Sequence, residues 1–151
     1  MQRVERSIRV KAPTSKAYEL WRNFERFPTF MENVHEVRMM GEDGHRSHWK
    51  ITGPLGKEVE FDADMTEDEP GKSIGWRSIE GHSEVGVSGK VTFSELGDGE
   101  TEIHVVMQWY DTPAGAIGEA ASRTLQNPEQ MVEDDLRRFK DVAEGRMPYA
   151  A

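Results

Sequence analysis

The stretch from Glu58 to Met65 restricts the possible fold more than any other part of the chain. Val59, Phe61, Ala63 and Met65 interleave strictly with Glu58, Glu60, Asp62 and Asp64. Successive side chains of a strand point to opposite faces, so this segment is a strand with one dry and one wet face. A sheet made of such strands must cover its dry face with another layer. The carboxylates are spread along a strand, whereas calcium ligands converge on a point from a loop, so they read as a solvated face.

Other segments repeat the pattern. Val4–Val10 aligns Val4, Ile8 and Val10, with Arg6 interrupting the apolar face. Val34–Met40 and Arg46–Thr52 flank the turn Gly41-Glu42-Asp43-Gly44, and Trp49 and Ile51 share a face of the second strand. Gly53-Pro54-Leu55-Gly56 is a turn, and Glu69-Pro70-Gly71-Lys72 leads into Ser73–Ile79, which holds Trp76. Gly81-His82 is expected to lead into a strand through Val85, Val87, Gly89, Val91 and Phe93. After Leu96-Gly97-Asp98-Gly99 comes Thr101–Tyr110, with Ile103, Val105, Met107 and Trp109 in phase. Turns this short join hairpins, so the sheet is antiparallel. The glycines of Gly86-Val87-Ser88-Gly89 are expected to let it bend.

Helical spacing occurs near both ends. After Ala12-Pro13, Thr14 or Ser15 is the expected cap of a helix carrying Ala17, Tyr18, Leu20, Trp21 and Phe24. Phe27-Pro28-Thr29-Phe30-Met31 implies a second short helix entered through its proline. Ala114–Leu125 reads as a small, Ala-rich helix. Asn127-Pro128-Glu129-Gln130 is a helix start with a cap, a first-turn proline and a glutamine three after the cap. Val132, Leu136, Phe139 and Ala143 form a core-facing stripe, and Gly145 ends the helix. Glu133 with Arg137 and Asp134 with Arg138 are expected to pair on its outer face.

The chain of 151 residues suits one domain, 1–151. Its formal net charge of −9 weighs against nucleic acid and against anionic membrane surfaces, which need a basic face. With no cysteine there is no disulfide, thiolate nucleophile or cysteine-bound metal. The charged, alternating start MQRVERSIRV does not read as a signal peptide, and no apolar run approaches the roughly 20 residues that span a bilayer. The expectation is a cytoplasmic protein with no stable membrane anchor.

Four strings sharpen the picture: VERSIRVKAPTSKAYELWRNFERFPTFMENV, SHWKITGPLGKEVEFDADMTEDEPGKSIGWRS, VGVSGKVTF and PEQMVEDDLRRFK. Together, from about Val4 to Glu144, they resemble the bacterial branch of the polyketide cyclase/dehydrase and lipid-transport family, within the START-like (SRPBCC) superfamily. That branch is related to coenzyme Q-binding START-like proteins and more remotely to pollen allergens of the Bet v 1 type. The resemblance implies an α+β helix-grip fold. In it a curved antiparallel sheet of about seven strands wraps a long C-terminal helix, with two short helices after the first strand. It also implies a cavity between sheet and helix for lipids, quinones, polyketides or aromatics, and it carries over no catalytic motif. Where family members often have a diproline–diglycine turn at the cavity entrance, this chain reads Asp111-Thr112-Pro113-Ala114-Gly115.

The chemistry-bearing residues agree with binding. His35, His45, His48, His82 and His104 are scattered without metal-ligand spacing, so they read as exposed structural histidines. No serine lies in a GxSxG elbow or an SxxK motif. Trp49, Trp76 and Trp109 are each in phase with the apolar residues of their strands. Large flat side chains and adaptable thioethers suit a greasy pocket. The expected ligand-contacting set is therefore Phe30, Trp49, Ile51, Phe61, Trp76, Ser78, Val105, Met107, Trp109, Met131, Asp135 and Phe139. Ser78, Arg6 and Asp135 are its candidate polar handles, although Asp135 lies beside the helix stripe and is expected at the surface.

No cofactor, metal or catalytic residue is expected. The favoured function is non-catalytic binding or transport of a hydrophobic small molecule. One alternative is a polyketide aromatase/cyclase or dehydratase using Ser78, Arg77 and His82; another is a protein-interaction module. A second copy of the chain or a protein partner remains open.

Overall fold

Seven antiparallel strands form one sheet in the computed structural model of the chain, which describes residues 2–52, 58–83, 86–110 and 128–147. They are β1 (Gln2–Val10), β2 (Val34–Met40), β3 (Arg46–Thr52), β4 (Glu58–Glu69), β5 (Ser73–Ser83), β6 (Gly86–Gly97) and β7 (Glu100–Tyr110). Their order is β1-β7-β6-β5-β4-β3-β2, so the first two strands occupy opposite edges. Helix α1 (Thr14–Arg22) and a 3₁₀ segment (Phe24–Thr29) carry the chain between those edges. The curved sheet and the amphipathic helix α2 (Pro128–Ala143) make this the helix-grip fold.

Alternation decides which face is dry. Val59, Phe61 and Ala63 of β4 are buried, and so are Val91 and Phe93 of β6 and Ile103 and Val105 of β7. Opposite them, the acidic ladder of β4 meets basic groups of β3. Asp64 pairs with Arg46 at 3.1 Å, while His48 lies 2.5 Å from Asp62 and 2.8 Å from Glu60. Those two carboxylates raise the His48 pKa. The wet face is thus a set of cross-strand ion pairs, a finer arrangement than hydration alone.

Several local expectations need correction. Pro13, not Thr14 or Ser15, is the α1 cap residue, and it makes no side-chain capping bond. Pro28 lies inside the 3₁₀ segment, which starts four residues earlier at Phe24. Gly81 and His82 belong to β5 instead of preceding a new strand. Between the pairs Ala63–Ser78 and Phe61–Ser83 the register shifts, and Gly81 adopts a φ of 87°, open to a residue without Cβ. On α2 the ion pairs are Arg137–Asp134 and Arg138–Asp135, both at i,i+3, while Glu133 reaches across to Arg6 on β1 at 3.0 Å. The expected turn at Gly53–Gly56, the Ala114–Leu125 helix, the Asn127 cap and the Asp111–Gly115 loop lie outside the described residues.

The end of α2 is tied down. The Gly145 N–H donates to Val142 O and that of Arg146 to Asp141 O, closing the last turn in a Schellman arrangement. Next to it Glu144 accepts the Lys11 backbone N–H at 2.7 Å and the Lys140 ammonium at 2.6 Å, joining the helix to the chain leaving β1. Burial works to raise the Glu144 carboxyl, but these donors and Arg146 outweigh it and hold it at about 2.

Gly89 has a role beyond letting the sheet bend. A Cβ there would stand 2.7 Å from Met107 Sδ and collide with the Trp76 indole, so the missing side chain is the space in which Trp76 sits. Replacing Gly89 with Ala should therefore push a rigid indole out of place. Urea titration should show a loss of about 1–3 kcal/mol. A substitution without cost would mean that Trp76 has room to spare.

Candidate ligand-binding site

Part of the space between sheet and α2 is filled by rings. Trp21 of α1, 2% exposed, packs against Phe27, Phe30, Phe93 and Phe139 with centroid separations of 5.8, 6.4, 6.4 and 5.0 Å. Phe139, fully buried, also meets Phe30 at 5.2 Å. Helix α1, the 3₁₀ segment, β6 and α2 are thereby locked together. Among the described residues the Trp21 indole N–H has no hydrogen-bond partner, and the rings around it accept N–H groups only weakly.

Another part is hollow. It lies where β3 and β7 end and where β6 and α2 begin, has a volume of about 120 Å³ and is partly open. Trp49 and Phe61, stacked 5.6 Å apart with rings 9° from parallel, form one wall. Trp76, Val87, Val105, Met107 and Trp109 continue it across the sheet. The first turns of α2 supply Met131, Val132, Asp135 and Leu136, and the segment after the 3₁₀ turn supplies Met31, Asn33 and Val34. Hydrogen bonds hold the wall residues in place. The Trp49 indole donates to Ser47 Oγ at 2.7 Å, Asn33 Nδ2 donates to Met131 Sδ at 2.6 Å, and Thr52 Oγ1 pairs with His35 Nε2.

Of the residues expected to touch a ligand, the structure gathers Trp49, Ile51, Phe61, Trp76, Val105, Met107, Trp109, Met131 and Asp135 around this cavity. Phe30 and Phe139 are instead part of the ring packing that fills the other part. Ser78 is buried and turned to the backbone, its hydroxyl accepting the Val87 N–H at 3.0 Å. Arg6 is engaged with Glu133 and does not border the cavity. Sequence reasoning did not assign Trp21, Phe27, Met31, Asn33, Val34, Thr52, Val87, Val132 and Leu136 to the wall. Val132 and Leu136 were visible as the α2 stripe, but periodicity does not tell a packed stripe from one facing a hollow. Asn33 and Thr52 carry no sequence signal at all.

Asp135 is the main departure from expectation. It is not a surface group: its side chain is 16% exposed, it borders the cavity, and its Oδ1 accepts Arg138 Nη2 at 2.5 Å. Arg138 in turn donates to Phe30 O at 2.7 Å, fixing α2 against the 3₁₀ turn. Burial pushes the Asp135 carboxyl up to about 6, outweighing the Arg138 bond and charge and the Glu32 backbone N–H, which lower it. Among the described residues no cluster of His, Asp or Glu is placed to hold a metal ion, and no helix is long and apolar enough to cross a membrane.

The raised carboxyl has a consequence for stability. Below its ordinary value of 3.8 Asp135 is protonated in both folded and unfolded chains. Between that value and about 6 the unfolded chain releases the proton first, so stability falls as pH rises. Above that window the penalty is constant, on the order of 2–3 kcal/mol. Asp135→Asn removes the titration. Chemical denaturation at pH 4 and pH 7.5 should show the variant gaining on the parent protein at the higher pH. A pH-independent difference would contradict burial as the cause.

Residues 10–140 match the family described as polyketide cyclase / dehydrase and lipid transport. An uncharacterised 17.2 kDa protein of Streptomyces lincolnensis, from the melC2-rnhH intergenic region, is 33% identical over 146 residues, spanning 97% of this chain and 92% of the relative. A Deinococcus radiodurans protein of known crystal structure is 30% identical with a TM-score of 0.73, the match covering 95% of this chain and 99% of that one. The Zhui aromatase/cyclase from Streptomyces sp. R1128 shares the fold with a TM-score of 0.75 at 18% identity, over 96% of this chain and 94% of the other. The extent of the sequence match, together with a sheet, helix and cavity arranged as described, places the chain in the polyketide cyclase/dehydrase and lipid-transport family.

Proposed function

We propose that the chain is one domain that binds or carries a hydrophobic small molecule, in the cytoplasm and without turning it over, in the cavity between the sheet and α2. The observation that carries this reading is an apolar cavity in an interior that is otherwise closely packed. Protein interiors leave few voids larger than a water molecule. At about 24 cal/mol per Å³, a cavity of 120 Å³ costs on the order of 3 kcal/mol relative to a filled core. A ligand with flat apolar surface removes that cost by restoring the missing contacts. Its size is near that of engineered cavities of roughly 150 Å³, which take up benzene. A single aromatic ring, or one end of a longer molecule, therefore suits it.

Native mass spectrometry of the purified protein, followed by organic extraction, is the direct test. A stoichiometric lipid, polyketide or aromatic compound is the expected result. Ile51→Phe, which adds a ring to the cavity wall, should weaken binding of a hydrophobic fluorescent dye at least tenfold without lowering thermal stability. Protein that carries nothing and ignores such dyes would end the proposal.

Asp135 favours a second reading, an aromatase/cyclase or dehydratase, because a carboxyl titrating at about 6 beside a cavity suits acid–base work. The trio of Ser78, Arg77 and His82 does not support it. Ser78 is buried on the inner face, its chain neighbour Arg77 is exposed, and the His82 side chain lies outside the described residues. Incubating pure protein with a reactive polyketide chain should leave the rate of cyclisation unchanged; acceleration abolished by Asp135→Asn would favour the enzyme.

A further inference from the structure

Among the described wall residues Asp135 is the only one with an ionisable side chain. The other polar groups there are the Asn33 and Thr52 side chains, engaged with Met131 and His35, and indole N–H groups, which donate but cannot accept. A carboxylate has two oxygens and roughly four acceptor positions. Arg138 takes one of them and the Glu32 backbone N–H another, which leaves acceptor capacity at the cavity wall.

From this placement we infer that Asp135 selects neutral, hydroxyl-bearing aromatic ligands and rejects those that carry a carboxylate or phosphate. The inference rests on reading the cavity as a ligand site. A phenolic O–H donating to a carboxylate makes a short, charge-assisted bond, stronger than one between neutral groups. An acceptor-only compound, such as a simple quinone, gains no hydrogen bond from the ionised Asp135. An anion would be brought beside a buried carboxylate where little water screens the repulsion, in a chain whose formal net charge is already −9. A ligand ammonium would have to shed its own hydration to meet a carboxylate already bonded to Arg138, whereas a hydroxyl gives up far less. The rings of Trp49, Phe61 and Trp76 suit the flat remainder of a phenol.

The test uses three single-ring probes on the full chain at pH 7.5, where Asp135 is ionised. They are p-cresol, its near-isostere p-xylene, and benzoate, titrated while the indole ¹H–¹⁵N resonances of Trp49, Trp76 and Trp109 are followed. p-Cresol should bind at least tenfold more tightly than p-xylene, and benzoate should cause no shift. Asp135→Leu should erase the advantage of p-cresol, and Asp135→Asn, which keeps the shape and loses the charge, should reduce it to a few-fold. The comparison within the parent protein stands even if the leucine variant does not fold. p-Xylene or benzoate binding as tightly as p-cresol would overturn the selectivity and leave hydrophobic binding intact. Silence from all three probes would overturn both.

Discussion

The packing of Trp21 against Phe27, Phe30, Phe93 and Phe139 is the contact on which the rest of the structure depends. These rings come from α1, the 3₁₀ segment, β6 and α2, which are remote in sequence. By filling one part of the space above the sheet they hold α2 at a distance set by ring thickness. Small side chains at those positions would let the helix settle onto the sheet and close the other part. The cavity is thus a by-product of bulky groups at one end of the helix, and close packing there is what keeps the other end open.

Helix α2 works differently along its length. Its C-terminal half is fixed by Phe139, Val142 and Ala143 in the core and by Glu144 bonded to Lys11 and Lys140. Its N-terminal half presents Met131, Val132, Asp135 and Leu136 to the cavity. The one charged residue in that roof is held by Arg138, one turn on, which also binds the backbone at Phe30. Structural anchoring and the cavity wall therefore meet at Asp135. A carboxylate so placed keeps its position at the cost of hydration, and that loss is what raises its pKa.

How much of this was legible beforehand depended on range. The bounds of β2 and β3, Val34–Met40 and Arg46–Thr52, are those expected from the sequence, because turn residues act locally, whereas the register irregularity between Val34 and Glu36 was not visible there. The partners of Glu133 and Arg138 differ from expectation because other groups compete for them: the Arg6 guanidinium of β1 donates to Glu133, and Arg138 donates to Phe30 O and to Asp135 on its own helix. The aromatic positions divided for a similar reason. Trp49 and Phe30 are equally apolar in the sequence, yet one borders the hollow and the other fills the core, a difference made by Phe139 standing against Phe30.

Sequence by itself determined the elements, the dry face of the sheet, the single amphipathic helix to cover it, and the family to which the chain belongs. The elements and faces follow from side-chain periodicity, turn residues and composition, which act over a few neighbours, while the family follows from the resemblance of four longer strings. Tertiary structure alone decided that the covered space is part core and part cavity, that Gly89 makes room for Trp76, and that Asp135 faces inward. Each of these depends on the volumes and charges of residues brought together from distant points of the chain, and no periodicity along the sequence encodes such a meeting.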